Sequence, residues 1–247
     1  MKTTDNTILI TGGTSGIGLG LALRFHQAGN KVIIAGRRKG LLDAITAEHP
    51  GVEALLLDVT DPASVVGAYE TVIRAHPKLN VLVNMAGIML PEDVRAPEFL
   101  ATAESTVSTN LLGPIRVLAA FIPFLAKQPD AAVINVSSGL AFVPHPISPT
   151  YSATKAAIHS FTEALRVQLA DTPIQVLELV PPAVRTTLMG QQDSETAMPL
   201  EAFLDETMKL LRTEPDAQEI LVENVKFLRF AEANGDYDRA LAMLSGH

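Results

Sequence analysis

Cysteine is absent from the 247-residue chain, which excludes disulfides, thiolate nucleophiles and cysteine-ligated zinc while leaving the redox compartment open. Positive charge is scarce: 19 Lys and Arg face 27 Asp and Glu, for a formal charge of −8. Phosphate binding needs a basic surface, so nucleic acid is not an expected partner. Long apolar runs are missing too. The longest, Val117 to Ala126, contains Pro123 and is far short of the roughly 18 residues a membrane span requires, so no membrane association is expected. The start, Met1-Lys-Thr-Thr-Asp5, carries no apolar leader, and the expected location is cytoplasmic. His26, His49 and His76 fall at the ends of surface helices and are expected to be solvated. His159 has no second ligand at metal spacing, so no metal site is expected.

What the chain does have is alternation. Strand-like runs at Thr7–Ile10, Lys31–Ala35, Ala54–Leu57, Val81–Asn84, Ala132–Val136 and Gln175–Val180 are separated by helical patterns. Short β-rich runs between helices imply a parallel sheet covered on both faces. The expected fold is α/β: one doubly wound, Rossmann-type domain over residues 1–247, strand order 3-2-1-4-5-6, with helices on both faces. In that order ligands bind where strands 1 and 4 end. Residues 190–200 are polar without periodicity and read as a mobile loop or lid. Leu200 to His247 reads as a helical extension, so 190–247 is expected to form a substrate lid and tail.

A glycine-rich turn follows the first strand. Thr11-Gly-Gly-Thr-Ser-Gly-Ile-Gly18 leads into the helical pattern Leu19, Leu21, Leu23, Phe25. Gly12, Gly16 and Gly18 permit a tight turn, close approach of backbone to phosphates and close helix–strand packing. Thr14, Ser15 and Ile17 lie on the same turn, and the helix N-terminus beyond offers free N–H groups to an anion. No Gly-Lys-Ser/Thr follows, so it is not a P-loop. The second strand ends Ile33-Ile-Ala-Gly-Arg-Arg38 with Gly36 where an acidic residue would accept ribose hydroxyls. Arg37 and Arg38 instead offer guanidinium forks for a 2′-phosphate, so NADP(H) is expected over NAD(H), with Arg37 the main discriminator.

The second constellation is Tyr151-Ser-Ala-Thr-Lys155, with Ser138 thirteen residues earlier. A free tyrosine titrates near 10, too high for efficient proton exchange near neutrality. A lysine one helical turn away lies on the same face and favours the phenolate. Both residues continue the apolar stripe Ile158, Phe161, Leu165, Leu169, a position where lysine needs partners. Asn110 stands in the helical stretch Ala101–Ala126, and Pro114, four residues on, has no N–H for its carbonyl. A kinked core helix and a functional carbonyl both explain that pairing.

Together these residues resemble the short-chain dehydrogenase/reductase family from about residue 5 to 190. The glycine turn matches Thr-Gly-x-x-x-Gly-x-Gly, and Asp58-Val59 matches the motif after strand three. Asn84-Met-Ala86-Gly87 matches Asn-Asn-Ala-Gly with Met85 in place of the second asparagine, and Asn135-Val-Ser-Ser138 and Tyr151-x-x-x-Lys155 complete the set. The resemblance implies hydride transfer between a nicotinamide and a carbonyl or secondary alcohol. Tyr151 would exchange the proton, Lys155 would lower its pKa and bond the nicotinamide ribose, and Ser138 would bond the substrate oxygen, with Ser137 its rival. Asn110 would support the proton relay through a water held by its main chain, and Val184 and Thr186 would meet the carboxamide. Phe142, His145 and Met189 are expected against substrate, although His145 reads equally well as an ordinary loop histidine.

Two departures stand out. Pro181-Pro182 replaces the family's Pro-Gly, and the closing strand with Val-Asp-Gly-Gly is missing. This tail and the Pro-Pro turn resemble the DltE-like branch. The same residues would also serve an isomerase or dehydratase, and the fold alone would serve a non-catalytic dinucleotide-binding protein. The helices Ala101–Ala126 and Tyr151–Ala170 carry more apolar surface than one sheet face can cover, so a homodimer through them is expected rather than a tetramer.

Overall fold

In the computed structural model, which describes residues 1–246, the apolar runs form one parallel sheet. Its strands are β1 (Thr7–Thr11), β2 (Lys31–Gly36), β3 (Val52–Leu56), β4 (Val81–Asn84), β5 (Ala132–Val136), β6 (Gln175–Leu179) and β7 (Glu219–Ile220). The order is β3-β2-β1-β4-β5-β6-β7, the expected doubly wound arrangement plus one strand. Because helices cover both faces, the middle strands are buried on both sides, which is why they read as continuous apolar runs.

One face packs on α1 (Gly16–Gln27), α2 (Lys39–Glu48) and α7 (Leu200–Thr213) through Phe25, Leu42 and Phe203. The other packs on α3 (Pro62–Ala75), α5 (Gly113–Leu125) and α6 (Pro149–Gln168) through Val72, Phe121 and Leu165. A satellite cluster joins Val143 to the short C-terminal helices α8 (Lys226–Arg229) and α9 (Tyr237–Ser245).

Four expectations need correction. The third strand is Val52–Leu56 rather than Ala54–Leu57, because Gly51 turns at φ +97° and pairing with β2 starts at Val32–Val52. A closing strand does exist: β7 pairs with β6 at Glu178 and Leu179. Its two residues are too few to show an alternating pattern inside an apolar stretch. Residues 190–200 are not without structure: Leu188–Asp193 forms a short 3-10 turn, and at the far end Met198 donates to the Ala183 carbonyl and Arg185 to that of Met198. His76 is buried, its Nε2 3.0 Å from Glu53.

The helix expected over 101–126 runs as α4 (Phe99–Val107), one wide π-turn (Ser108–Leu112) and α5. The Gly113 N–H bonds the Ser108 carbonyl, five residues back, because Pro114 offers nothing to Asn110. Gly113 is needed there, since a Cβ would lie 2.8 Å from Val59 Cγ2. This 27-residue stretch holds an 18-residue segment of mean hydropathy 1.4, enough by length and composition to cross a membrane, but Val117, Leu118, Phe121 and Leu125 are buried against the sheet. It is a core helix.

Candidate active site

Where β1 meets α1, Gly12 (φ +68°) and Gly16 (φ +51°) turn through conformations that favour glycine. Space is as restrictive as angle. A Cβ on Gly12 would sit 2.8 Å from the Ala86 backbone, and one on Gly18 2.3 Å from the Gly12 carbonyl oxygen. The N-cap, Ser15, makes no side-chain cap bond, so the first-turn N–H groups point unclaimed into a groove of about 450 Å³.

Gly12, Thr14, Ser15, Gly16, Ile17 and Gly18 line this groove, as expected. Arg37, Arg38, Asp58 and Val59 form its far end, and Ala86, Gly87 and Thr186 its near end. Asn84 does not reach it: its amide is buried beneath, donating to Asn135 Oδ1 at 3.0 Å. At the far end Arg38 Nη2 donates to Thr14 Oγ1 at 3.0 Å, crossing the glycine turn. Burial raises the Asp58 carboxyl, but the Thr60 bonds and the charge of Arg37 outweigh it and hold the group below the usual carboxylate range. A Cβ on Gly36 would lie 2.8 Å from Thr14 Cγ2, so this backbone leaves no room for an acidic side chain there.

A second cavity of about 320 Å³ continues from the groove, the two sharing Ile17, Met85, Gly87, Thr186 and Leu188. Ser138, Tyr151 and Lys155 open into it. Ser138 follows β5 and caps a short turn, its Oγ accepting from the Leu140 N–H at 3.1 Å. Pro149 at the first turn of α6 sets the helix so that Tyr151 and Lys155 face the cavity one turn apart. Both are buried. The Lys155 ammonium donates to the Val136 carbonyl at 2.7 Å and lies 5.6 Å from the Tyr151 ring centroid. Burial pushes the Tyr151 phenol up to about 12, with the Ser138 hydroxyl pulling it down. Burial likewise drops Lys155 to about 8, with Glu178 pulling it up. Ser137 also lines the cavity, its Oγ buried without a protein partner.

Asn110 is held in the π-turn. Its Oδ1 accepts from the Ile88 N–H at 2.8 Å and its Nδ2 donates to the Ile88 carbonyl at 2.7 Å, which pins the chain that carries Ala86 and Gly87. Val184 lines the second cavity, and so does His145, whose burial lowers its pKa.

Two expected substrate contacts lie elsewhere. The Phe142 ring is clamped between the His159 imidazole (4.7 Å, edge-on) and the Arg229 guanidinium (4.4 Å) and points away from the cavity. Met189 sits at φ 55° in the turn Leu188–Asp193, and its neighbours Leu188 and Gln191 face inward instead. The sequence reading missed Leu140, Leu228 and Leu244. The last two come from α8 and α9, and nothing local in the sequence marks them as cavity walls.

The family model described as short chain dehydrogenase matches residues 6–197. The chain belongs to the short-chain dehydrogenase/reductase family. It is 40% identical over 249 residues to the uncharacterized oxidoreductase DltE of Bacillus subtilis (strain 168), covering 99% of this chain and 98% of that one. This places it in the DltE-like branch of the short-chain dehydrogenases. Among solved structures, it resembles 3-ketoacyl-(acyl-carrier-protein) reductase from Brucella melitensis complexed with NADH. There the identity is 29%, the TM-score 0.76, and 87% of this chain and 93% of that chain are covered. The fold also matches a short chain dehydrogenase from Burkholderia cenocepacia J2315 in complex with NADP, with a TM-score of 0.82, 24% identity and 98% of both chains covered.

Proposed function

We infer that this short-chain dehydrogenase/reductase is an NADP(H)-dependent oxidoreductase that interconverts a small, neutral carbonyl compound and its secondary or primary alcohol. The observation that carries the reading is the buried Ser138–Tyr151–Lys155 cluster, placed in a cavity continuous with the glycine-turn groove.

The residues present fit a dinucleotide. The glycines leave backbone where a Cβ could not stand, and the first turn of α1 offers uncapped N–H groups to a pyrophosphate. Arg37 and Arg38 would hold a 2′-phosphate, with Thr14 already fixing the Arg38 fork. Val184 and Thr186 would meet the carboxamide. Bound there, the nicotinamide supplies or accepts the hydride.

The protein's own part is proton and position. Tyr151, kept neutral by burial, holds a proton for the carbonyl oxygen, and Ser138 Oγ offers that oxygen a second hydrogen bond. Lys155 sets a positive charge beside the phenol. Pro114 offers no N–H to the Asn110 carbonyl, which would hold a water to complete the relay. The substrate class follows from the remaining lining: Met89, Leu140, Pro182, Leu188, Leu228 and Leu244 are apolar. Among the described residues its basic groups are Lys155, which donates to Val136, and His145, which burial disfavours as a cation. A carboxylate or phosphate on the substrate would meet no dedicated cation among these groups.

A panel of neutral ketones and aldehydes, each beside an acidic analogue, tests this with NADPH and NADH in turn. Steady NADPH consumption on the neutral members is the expected result. Turnover without net consumption would indicate an isomerase or dehydratase, and none at all a binding protein. Equal efficiency with both cofactors, or an undiminished NADPH preference in Arg37→Ala, would overturn the cofactor assignment. The helices α4 to α6 leave Leu100, Leu112 and Val167 exposed, and pairing across them would make a homodimer. A monomer at micromolar concentration by solution mass measurement rules that out.

A further inference from the structure

One register level crosses five strands: Thr11 pairs with Asn84, Asn84 with Asn135, Asn135 with Glu178 and Glu178 with Glu219. Two residues earlier on the first four strands stand Leu9, Leu82, Val133 and Val176, all facing the α3, α5 and α6 layer. Side chains recur on one face every two residues, so the row faces that layer as well. It is polar where the rest of the face is apolar. Asn84 donates to Asn135, and Asn135 Nδ2 donates to Thr162 Oγ1 of α6 at 3.0 Å. Glu178 Oε2 meets His159 Nδ1 at 2.8 Å, and Arg229 of α8 grips both oxygens of Glu219 at 2.8 and 3.0 Å.

Glu178 is the buried carboxylate of this row. It is wholly buried, and its Oε1 has no protein partner. A buried carboxylate is costly unless a positive charge lies near. His159 meets it at contact distance, and Lys155, one helical turn earlier on the same face of α6, is the next cation along the helix. Ligand atoms of His159, Glu178 and Glu219 come within 4.8 Å of one another, a spacing a metal ion could bridge. Arg229 already supplies the cation there and takes both Glu219 oxygens.

We propose that Glu178 is a positioning residue for the reaction: it is the buried counter-charge of Lys155, held in place by His159 and the Glu219–Arg229 pair. The inference rests on the reading of Tyr151 and Lys155 as the proton-transferring pair. The groups around the ammonium can be named element by element. Tyr151 and His159 come from its own helix, Glu178 from β6, and His145 from the loop before α6. Behind Glu178 stand Glu219 of β7 and Arg229 of α8. The Val136 carbonyl, Ser138, Gly87 and Asn110 are neutral. Glu178 is the carboxylate whose charge acts on Lys155, opposing the loss of its proton that burial promotes. The row also runs from the glycine turn to α8, where Leu228, beside Arg229, walls the substrate cavity.

The test is a pH titration by NMR of the full-length protein labelled with ¹³C-lysine, the Lys155 signal being identified by its loss in Lys155→Met. In Glu178→Gln, Lys155 is expected to release its proton about one pH unit lower than in the wild type, a tenfold loss of proton affinity. Glu178→Asp, which keeps the charge, should stay within a few tenths of a unit. An unchanged Lys155 titration in folded Glu178→Gln overturns the proposal, whatever that variant does to stability. Should Glu178→Gln fail to fold, ¹³C-glutamate labelling of the wild type decides: an ionised Glu178 carboxyl near neutral pH supports the proposal, and a protonated one overturns it. Full turnover in Tyr151→Phe alongside a shifted Lys155 titration would remove the catalytic reading and leave the charge pairing standing.

Discussion

The two halves of the cleft are built from different material. The groove beside the glycine turn is made of backbone: N–H groups at the start of α1, and glycines whose Cβ atoms would collide with Ala86, Gly12 or Thr14. The neighbouring cavity is made of side chains, with three polar groups from β5 and α6 at its floor and apolar walls from Met89, Leu140, the Leu188 turn and the C-terminal helices. The groove recognises what every ligand with phosphates presents, so its geometry tolerates little change. The cavity's apolar walls come instead from loops and from the short helices α8 and α9. The proposed chemistry sits beside the join, where Tyr151 and Lys155 are buried and line the second cavity.

Removing the Tyr151 hydroxyl strikes that join and should have the largest effect. Tyr151→Phe is expected to cut turnover at least about 10²-fold, with NADPH affinity nearly unchanged, as stopped-flow and binding titrations would show. Wild-type turnover in that variant would sink the assignment. Gly18→Ala strikes the groove alone. Its Cβ at 2.3 Å from the Gly12 carbonyl forces the turn open, so NADPH affinity should fall at least tenfold and stability by about 1–3 kcal/mol. An unaltered NADPH dissociation constant would show that the groove is more pliant than its spacing implies.

Lys155→Met separates function from stability. The folded-state pKa of about 8 lies below the unfolded 10.5, so the unfolded chain binds more protons between those values. Wild-type stability therefore rises with pH through that window, and the full penalty, of order 3 kcal/mol, applies below it. Thermal melting near neutral pH should show Lys155→Met as the more stable protein although it has lost most turnover. A lower melting temperature would mean that partners such as Glu178 offset the burial cost completely. Leu244→Ala trims the cavity wall where it packs on the C-terminal cluster and should act most mildly. A roughly tenfold gain for bulkier ketones over small ones is expected, with no change in cofactor binding. A selectivity that does not move would remove α9 from the substrate site.

Much of this was legible along the chain because it is local. The glycine turn, the i, i+4 pair Tyr151 and Lys155 and the Pro114 effect at Asn110 each depend on neighbours within a few residues. The structure places the glycine turn on one cavity and Tyr151 and Lys155 on the adjoining one, with the Asn110 amide bonded to Ile88 behind them. Phe142 and Met189 were misjudged because loop residues close to Ser138 and Thr186 in sequence can turn either way. In one case a cation and an imidazole hold the ring back, and in the other a left-handed turn redirects the side chain. Glu178 did leave a trace, a charge in the middle of the apolar run Ile174 to Val180, but its meaning required knowing what lies on either side of β6.

By itself the sequence determined the strand periodicity, the doubly wound order and the identity of the groups at the join, because hydrophobic period and turn chemistry act over short distances. Only the tertiary structure decided that β7 closes the sheet, that α8 and α9 wall the cavity, and that Thr11, Asn84, Asn135, Glu178 and Glu219 stand level in one polar row. Those groupings draw on residues that span about two hundred positions, and strand register and helix docking, which no local pattern encodes, bring them together.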